Sequence, residues 1–74
     1  MKNVVVYTSD SCTYCTLTKN YLRSKGIHFE IRNIKEPIYR RELMRMRLRG
    51  VPVIKVDDAV IVGFDRYAID EALR

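Results

Sequence analysis

Cys12-Thr13-Tyr14-Cys15 sets the two cysteines of this chain three residues apart, shortly after the apolar run Val4-Val5-Val6-Tyr7 and at the start of a segment with helical periodicity. A strand, a short turn and a C-x-x-C pair opening a helix is the layout of a redox-active dithiol. Residues three apart lie on one helical face, so the two sulfurs can approach to bonding distance without distorting the backbone. A helix N-terminus carries about half a unit of positive charge, which favours a thiolate over a thiol. Cys12, nearest that terminus, is therefore the candidate nucleophile, and Cys15, one turn further in, the candidate resolving thiol.

Two plainer uses of such a pair fit less well. A structural zinc ion needs about four Cys or His ligands, and the chain offers two cysteines and His28, so no metal is expected. A purely structural disulfide closing so short a loop would constrain the unfolded chain little.

The elements that must position this pair can be read from the rest of the chain. Seventy-four residues with 47 % apolar content, three Gly and two Pro describe one folded domain, 1–74, with short connections. Val4–Tyr7 reads as a strand covered on both faces. From about Thr13 to Lys25, Tyr14, Leu17 and Tyr21 with Thr18 and Leu22 recur at helical spacing. Asp10 or Ser11 can cap this helix, and Gly26 stops it. Ile27 to Ile34 alternates like a half-buried strand. Glu36-Pro37 opens a second helix with an apolar stripe of Tyr39, Leu43, Met44, Met46 and Leu48, supporting Glu36/Arg40 and Glu42/Arg45 spacings, and an end at Gly50. Residues 51–56 and 59–62 flank Asp57-Asp58 as a hairpin. Asp65 can cap a last helix carrying Tyr67, Ala68, Ile69, Ala72 and Leu73. The order is βαβαββα, an α/β domain with a parallel first pair of strands and an antiparallel hairpin in one mixed sheet.

Net charge is +5, and Arg40, Arg41, Arg45, Arg47 and Arg49 crowd into one ten-residue stretch. Their alternation with Leu43, Met44, Met46 and Leu48 is what a solvated face opposite a core stripe gives. An anion or acidic-partner site is the second reading, and a nucleic-acid partner is not expected. No stretch approaches the ~18–20 apolar residues of a membrane helix, and Met1-Lys2-Asn3 before four apolar residues does not resemble a signal peptide. A cytoplasmic protein without a membrane partner is expected, since a dithiol there is usually catalytic.

Tyr7-Thr8, the Cys12–Cys15 motif, Gly50-Val51-Pro52-Val53-Ile54 and Gly63-Phe64-Asp65 together resemble a glutaredoxin over essentially the whole chain, near the ribonucleotide-reductase-linked redoxins. The resemblance implies a minimal thioredoxin fold: a four-stranded mixed sheet of order 2-1-3-4, two helices on one face and one on the other, and a cis bond before Pro52. It implies thiol–disulfide oxidoreductase activity on protein or glutathione mixed disulfides. Electrons would come from glutathione or a thioredoxin-reductase-like flavoenzyme, with no tightly bound cofactor and a monomeric enzyme. Tyr14, Val51, Pro52, Gly63, Phe64 and Asp65 would line the substrate groove, Val51 through its backbone and Asp65 at the γ-glutamyl end of glutathione. Ser9 stands where many glutaredoxins carry lysine, and Asp10 adds a carboxylate, so the surroundings of Cys12 are less cationic than in those relatives. Thr13 replaces the commonest proline of the motif. Some relatives with a small residue there are non-enzymatic carriers of a [2Fe–2S] cluster, held by Cys12 of two chains with glutathione; this is the alternative function.

Overall fold

The structure, a computed structural model, describes residues 2–74; Met1, where the reading of the N-terminus begins, lies outside them. The elements run β1 (Val4–Thr8), α1 (Thr13–Ser24), β2 (Glu30–Asn33), α2 (Pro37–Arg45), β3 (Val53–Val56), β4 (Ala59–Val62) and α3 (Arg66–Leu73). The strands form one sheet of order β2-β1-β3-β4, in which β1 pairs with β2 parallel and with β3 antiparallel, and β3 with β4 antiparallel. This is the α/β thioredoxin fold that the motifs imply.

The β-branched run of β1 becomes the middle of the molecule because both of its faces are covered. All five of its residues are buried. Successive side chains point to opposite faces, and two apolar clusters follow from that alternation. Val4 and Val6 pack with Leu22 of α1, Ile54, Val56, Ile61 and Ile69 of α3. Val5 and Tyr7 pack with Leu43 of α2 and with Val53. Two helices therefore share one face and α2 holds the other.

Helix ends are set by hydrogen bonding as much as by residue type. After α1, the Gly26 and Ile27 N–H groups donate to the Arg23 and Leu22 carbonyls at 3.0 Å each, with Gly26 at φ 69°. This is a left-handed helix stop that suits glycine. After α2 the same pattern recurs with an arginine. The Arg47 and Leu48 N–H groups donate to the Met44 and Leu43 carbonyls at 2.9 and 3.2 Å, with Arg47 at φ 62°. The second helix thus ends at Arg45 rather than at Gly50, which falls in the loop beyond.

Other local expectations are corrected by packing. The second strand is only Glu30–Asn33, because it is an edge strand that follows β1 for four paired residues; Ile27 and Phe29 pack before it, and Ile31 is exposed. On α1 the buried residues are Cys15, Thr18 and Leu22, leaving Tyr14 and Leu17 exposed. Met44 and Tyr67 are exposed too, at 63 % and 77 %. Glu42 does not pair with Arg45 but accepts from the Tyr7 hydroxyl and from Arg32, both at 2.8 Å. His28 is exposed, and Glu30 pairs with Arg32.

Candidate active site

The loop from β1 into α1 delivers Cys12 as the N-cap residue of the helix, with extended backbone angles of φ −130° and ψ 108°. Asp10 and Ser11 do not take that position. Asp10 instead accepts from Asn33 Nδ2 at 2.7 Å and lies 3.6 Å from Lys35 Nζ. The Asn33 amide, with Lys35, holds its carboxyl below the usual range. The Cys12 sulfur itself accepts the backbone N–H of Cys15 at 3.1 Å, the bond that a side-chain oxygen makes at an ordinary N-cap. A sulfur at this place faces the positive end of the helix dipole.

The two sulfurs occupy different surroundings. Cys12 is partly exposed, while Cys15 is fully buried at 0 % exposure. Burial pushes the Cys15 thiol up, and its hydrogen bond with Cys12 adds to this. The Thr8 hydroxyl and the Ser9 backbone act in the opposite direction. Both cysteines are free thiols.

Across from Cys12, the loop before β3 presents Val51. Its carbonyl lies 3.8 Å from Cys12 Sγ, in line with a weak S–H donor contact. The Val51–Pro52 bond is cis, and Pro52 is buried. The Pro52 carbonyl accepts from the Gly63 N–H at 2.9 Å, and Gly63 has φ 83°, a conformation natural to glycine. That bond ties the Val51 loop to Gly63-Phe64-Asp65. The Phe64 ring then meets Tyr21 of α1 edge-on, with centroids 5.9 Å apart. Asp65 caps α3, its carboxylate accepting from the Ala68 N–H at 3.1 Å.

Of the eight residues singled out in the sequence, Cys12, Cys15 and Val51 meet directly, and Gly63 is joined to Pro52, the residue after Val51, by a backbone hydrogen bond. Phe64 and Asp65 continue from Gly63. Tyr14 projects into solvent at 62 % exposure from the first turn of α1; its carbonyl accepts from the Thr18 hydroxyl at 2.8 Å. Thr8 and Ser9 lie near the motif in the sequence, but their action on the buried Cys15 sulfur was not anticipated. A hydroxyl closing an otherwise apolar strand, just before the cysteine loop, was the available signal. Tyr21 was missed as well, since a tyrosine in a helical stripe reads as core. Among the described residues, no group of three or more His, Cys, Asp or Glu is placed to hold a metal ion.

Comparison with known proteins agrees with this geometry. The family model described as Glutaredoxin matches residues 4–61. An uncharacterized glutaredoxin-like 8.6 kDa protein in the rubredoxin operon of Clostridium pasteurianum is 39 % identical over 72 residues, covering 95 % of this chain and 96 % of its own. Glutaredoxin 3 of Escherichia coli K12 is 40 % identical over 73 residues, covering 95 % of this chain and 88 % of its own. Among solved structures, the glutaredoxin-like protein NrdH-redoxin from Escherichia coli superposes with a TM-score of 0.86 at 27 % identity, over 93 % of this chain and 92 % of the other.

Proposed function

The chain belongs to the glutaredoxin family and is a thiol–disulfide oxidoreductase of that type, and from this premise we propose that Cys12 and Cys15 carry a two-step reduction of protein or glutathione mixed disulfides. The Cys12 thiolate attacks one sulfur of the substrate disulfide and the other sulfur leaves as a thiolate that takes up a proton. The Cys15 sulfur, having lost its proton, then attacks Cys12 in the mixed disulfide. The substrate's second sulfur departs, and a Cys12–Cys15 bond remains. Two electrons have passed to the substrate, and an external thiol or flavoenzyme must return them.

One observation carries this reading: an open sulfur and a buried one share a helix start, joined by the 3.1 Å contact from the Cys15 N–H to Cys12 Sγ. The open sulfur meets substrate while the buried one stays protected until a mixed disulfide forms. Burial is the main cause that holds the Cys15 thiol up, and the charge of a Cys12 thiolate adds to it. Once Cys12 is covalently bonded that charge is gone, so Cys15 ionises more readily at the step that needs it. Extended substrate backbone can lie along Val51 and Pro52, with Gly63, Phe64 and Asp65 beyond, and Tyr14 at the rim. The protein would act as a monomer in the cytoplasm, where thiols are kept reduced.

Glutathione or a thioredoxin-reductase-like flavoenzyme is the electron donor in this reading. The Escherichia coli relative is described by its thioredoxin-like activity profile, which makes the flavoenzyme a full alternative to glutathione. Reduction of a protein disulfide is measured in parallel with glutathione and glutathione reductase, and with NADPH and thioredoxin reductase. Turnover in either arm that vanishes in Cys12→Ser supports the reading, and turnover in neither opposes it.

A further inference from the structure

The arginine-rich stretch does not spend its charge within the chain. Lys35, Arg40, Arg41, Arg45, Arg47 and Arg49 follow one another from just before α2, along it and into the loop after it, against only Glu36 and Glu42 in the same stretch. Glu42 is already engaged by Tyr7 and Arg32, and Lys35 reaches Asp10. Among the described residues, none of the five arginines stands within ion-pair distance of a carboxylate. Two adjoining hollows run along this side. One of about 450 Å³ lies among Lys35, Pro37, Arg40, Arg41, Met44 and Arg45. The other, of about 280 Å³, lies among Met44, Arg47, Leu48 and Arg49. Met44, common to both, gives the cationic strip an exposed apolar floor.

Each end of the strip connects to a loop that carries part of the site. Lys35 Nζ is 3.6 Å from the carboxylate of Asp10, two residues before Cys12. Arg49 is two residues before Val51, whose carbonyl lies 3.8 Å from Cys12 Sγ. A protein whose disulfide sits at Cys12 thus meets the two loops from which the strip extends.

We propose that this strip, Lys35 to Arg49, is a docking surface for an acidic segment of the protein whose disulfide is exchanged at Cys12. The inference rests on the oxidoreductase reading and adds the chemistry of the partner. Arginine forks match carboxylates in pairs, and methionine adapts to whatever apolar side chain accompanies them. Single exposed pairs are weak, but a cluster of one sign raises the rate of encounter with an oppositely charged partner. Nucleic acid fits less well. Bases stack on aromatic rings, and Tyr39, the aromatic residue of α2, is turned onto the core beneath the Arg32 guanidinium, 5.7 Å from its ring. A membrane surface fits poorly too, because Leu43 and Tyr39 of this nine-residue helix pack on the sheet and leave only Ile38 and Met44 as exposed large apolar side chains, a narrow face for an interfacial helix.

The test uses two peptides with the same internal disulfide, one flanked by Asp and Glu and the other by Gly and Ser. The wild-type protein should reduce the acidic peptide with a kcat/KM about tenfold higher at low ionic strength, and the preference should shrink as salt rises. The R40Q/R41Q/R45Q variant, checked for native circular dichroism, should lose the preference and keep its rate on the neutral peptide. Should the triple variant not fold, Arg40→Gln and Arg41→Gln singly should each lose part of it. Equal wild-type rates on the two peptides, or a preference that survives the substitutions, would overturn the proposal. Binding is followed separately by fluorescence anisotropy of the labelled acidic peptide on Cys12→Ser protein. If neither peptide is reduced, the oxidoreductase reading fails, while arginine-dependent binding still supports the docking surface and its absence opposes it. Tighter binding of an oligonucleotide of equal charge than of the acidic peptide would also overturn the proposal.

Discussion

Cys12 and Cys15 are the same residue type with different work to do, and their surroundings divide it. Cys12 accepts a backbone N–H at a helix start and remains reachable; Cys15 is buried beside Thr8, and its thiol is held above the ordinary value of 9.0. Closure of a mixed disulfide at Cys12 should therefore speed up with rising pH, since the attacking species is the Cys15 thiolate. Rapid-quench measurement on protein carrying glutathione at Cys12 should give a rate rising about tenfold per pH unit well below that pKa, as for any group far below its midpoint. Thr8→Val keeps the shape of the buried side chain and removes the hydroxyl that favours the thiolate. It should slow closure several-fold at neutral pH, the effect of about 1 kcal/mol for one lost hydrogen bond. An unchanged rate would mean that Thr8 serves only packing. At this scale the cysteine pair was legible from its spacing, but the cap was not. Asp10 is a better N-cap residue by type than cysteine, and a contact with Asn33, 23 positions away, draws it elsewhere.

Elements with strong periodicity were legible, and their ends and exposed sides were not. The β1 run, the hairpin about Asp57-Asp58 and the Asp65 cap appear where the residues point to them, because apolar alternation, turn chemistry and a capping carboxylate are local properties. The end of α2 is different. Two carbonyls of its last turn accept from the Arg47 and Leu48 N–H groups, with Arg47 left-handed, and the residue type gives no sign of it. Arg47→Gly should relieve a left-handed conformation that costs a non-glycine residue about 1 kcal/mol. The melting temperature should rise by several degrees, the ~4–8 °C per kcal/mol of a small domain; a fall in thermal unfolding experiments would contradict the assigned helix stop. Exposure of Leu17, Met44 and Tyr67 has a related cause. Short helices on a four-stranded sheet bury a narrow stripe, and apolar residues at its margin stay outside.

At the scale of the whole molecule, β1 supports both clusters and both ends of the site, so stability and chemistry share one strand. Tyr7 shows the connection: its ring sits in the α2-side core while its hydroxyl donates to Glu42 and accepts from Arg32 at 3.1 Å. Burial and the Glu42 carboxylate raise its pKa. The stabilisation linked to that proton is present below the unfolded value near 10 and is lost as pH rises through the higher folded value. Tyr7→Phe leaves Arg32 and Glu42 paired to each other, so it should cost about 1 kcal/mol at neutral pH, and denaturation curves should show a shallower loss of stability above pH 10 than wild type. Equal slopes would mean that the hydroxyl is not linked to folding. The central claim is that one sulfur attacks and the other resolves, and mass spectrometry of single-cysteine variants tests it most directly. Incubated with a protein disulfide, Cys15→Ser should accumulate a mixed disulfide at Cys12 while its turnover collapses, and Cys12→Ser should form no adduct. An adduct at Cys15 in the Cys12→Ser protein, or wild-type turnover by Cys15→Ser, would contradict it.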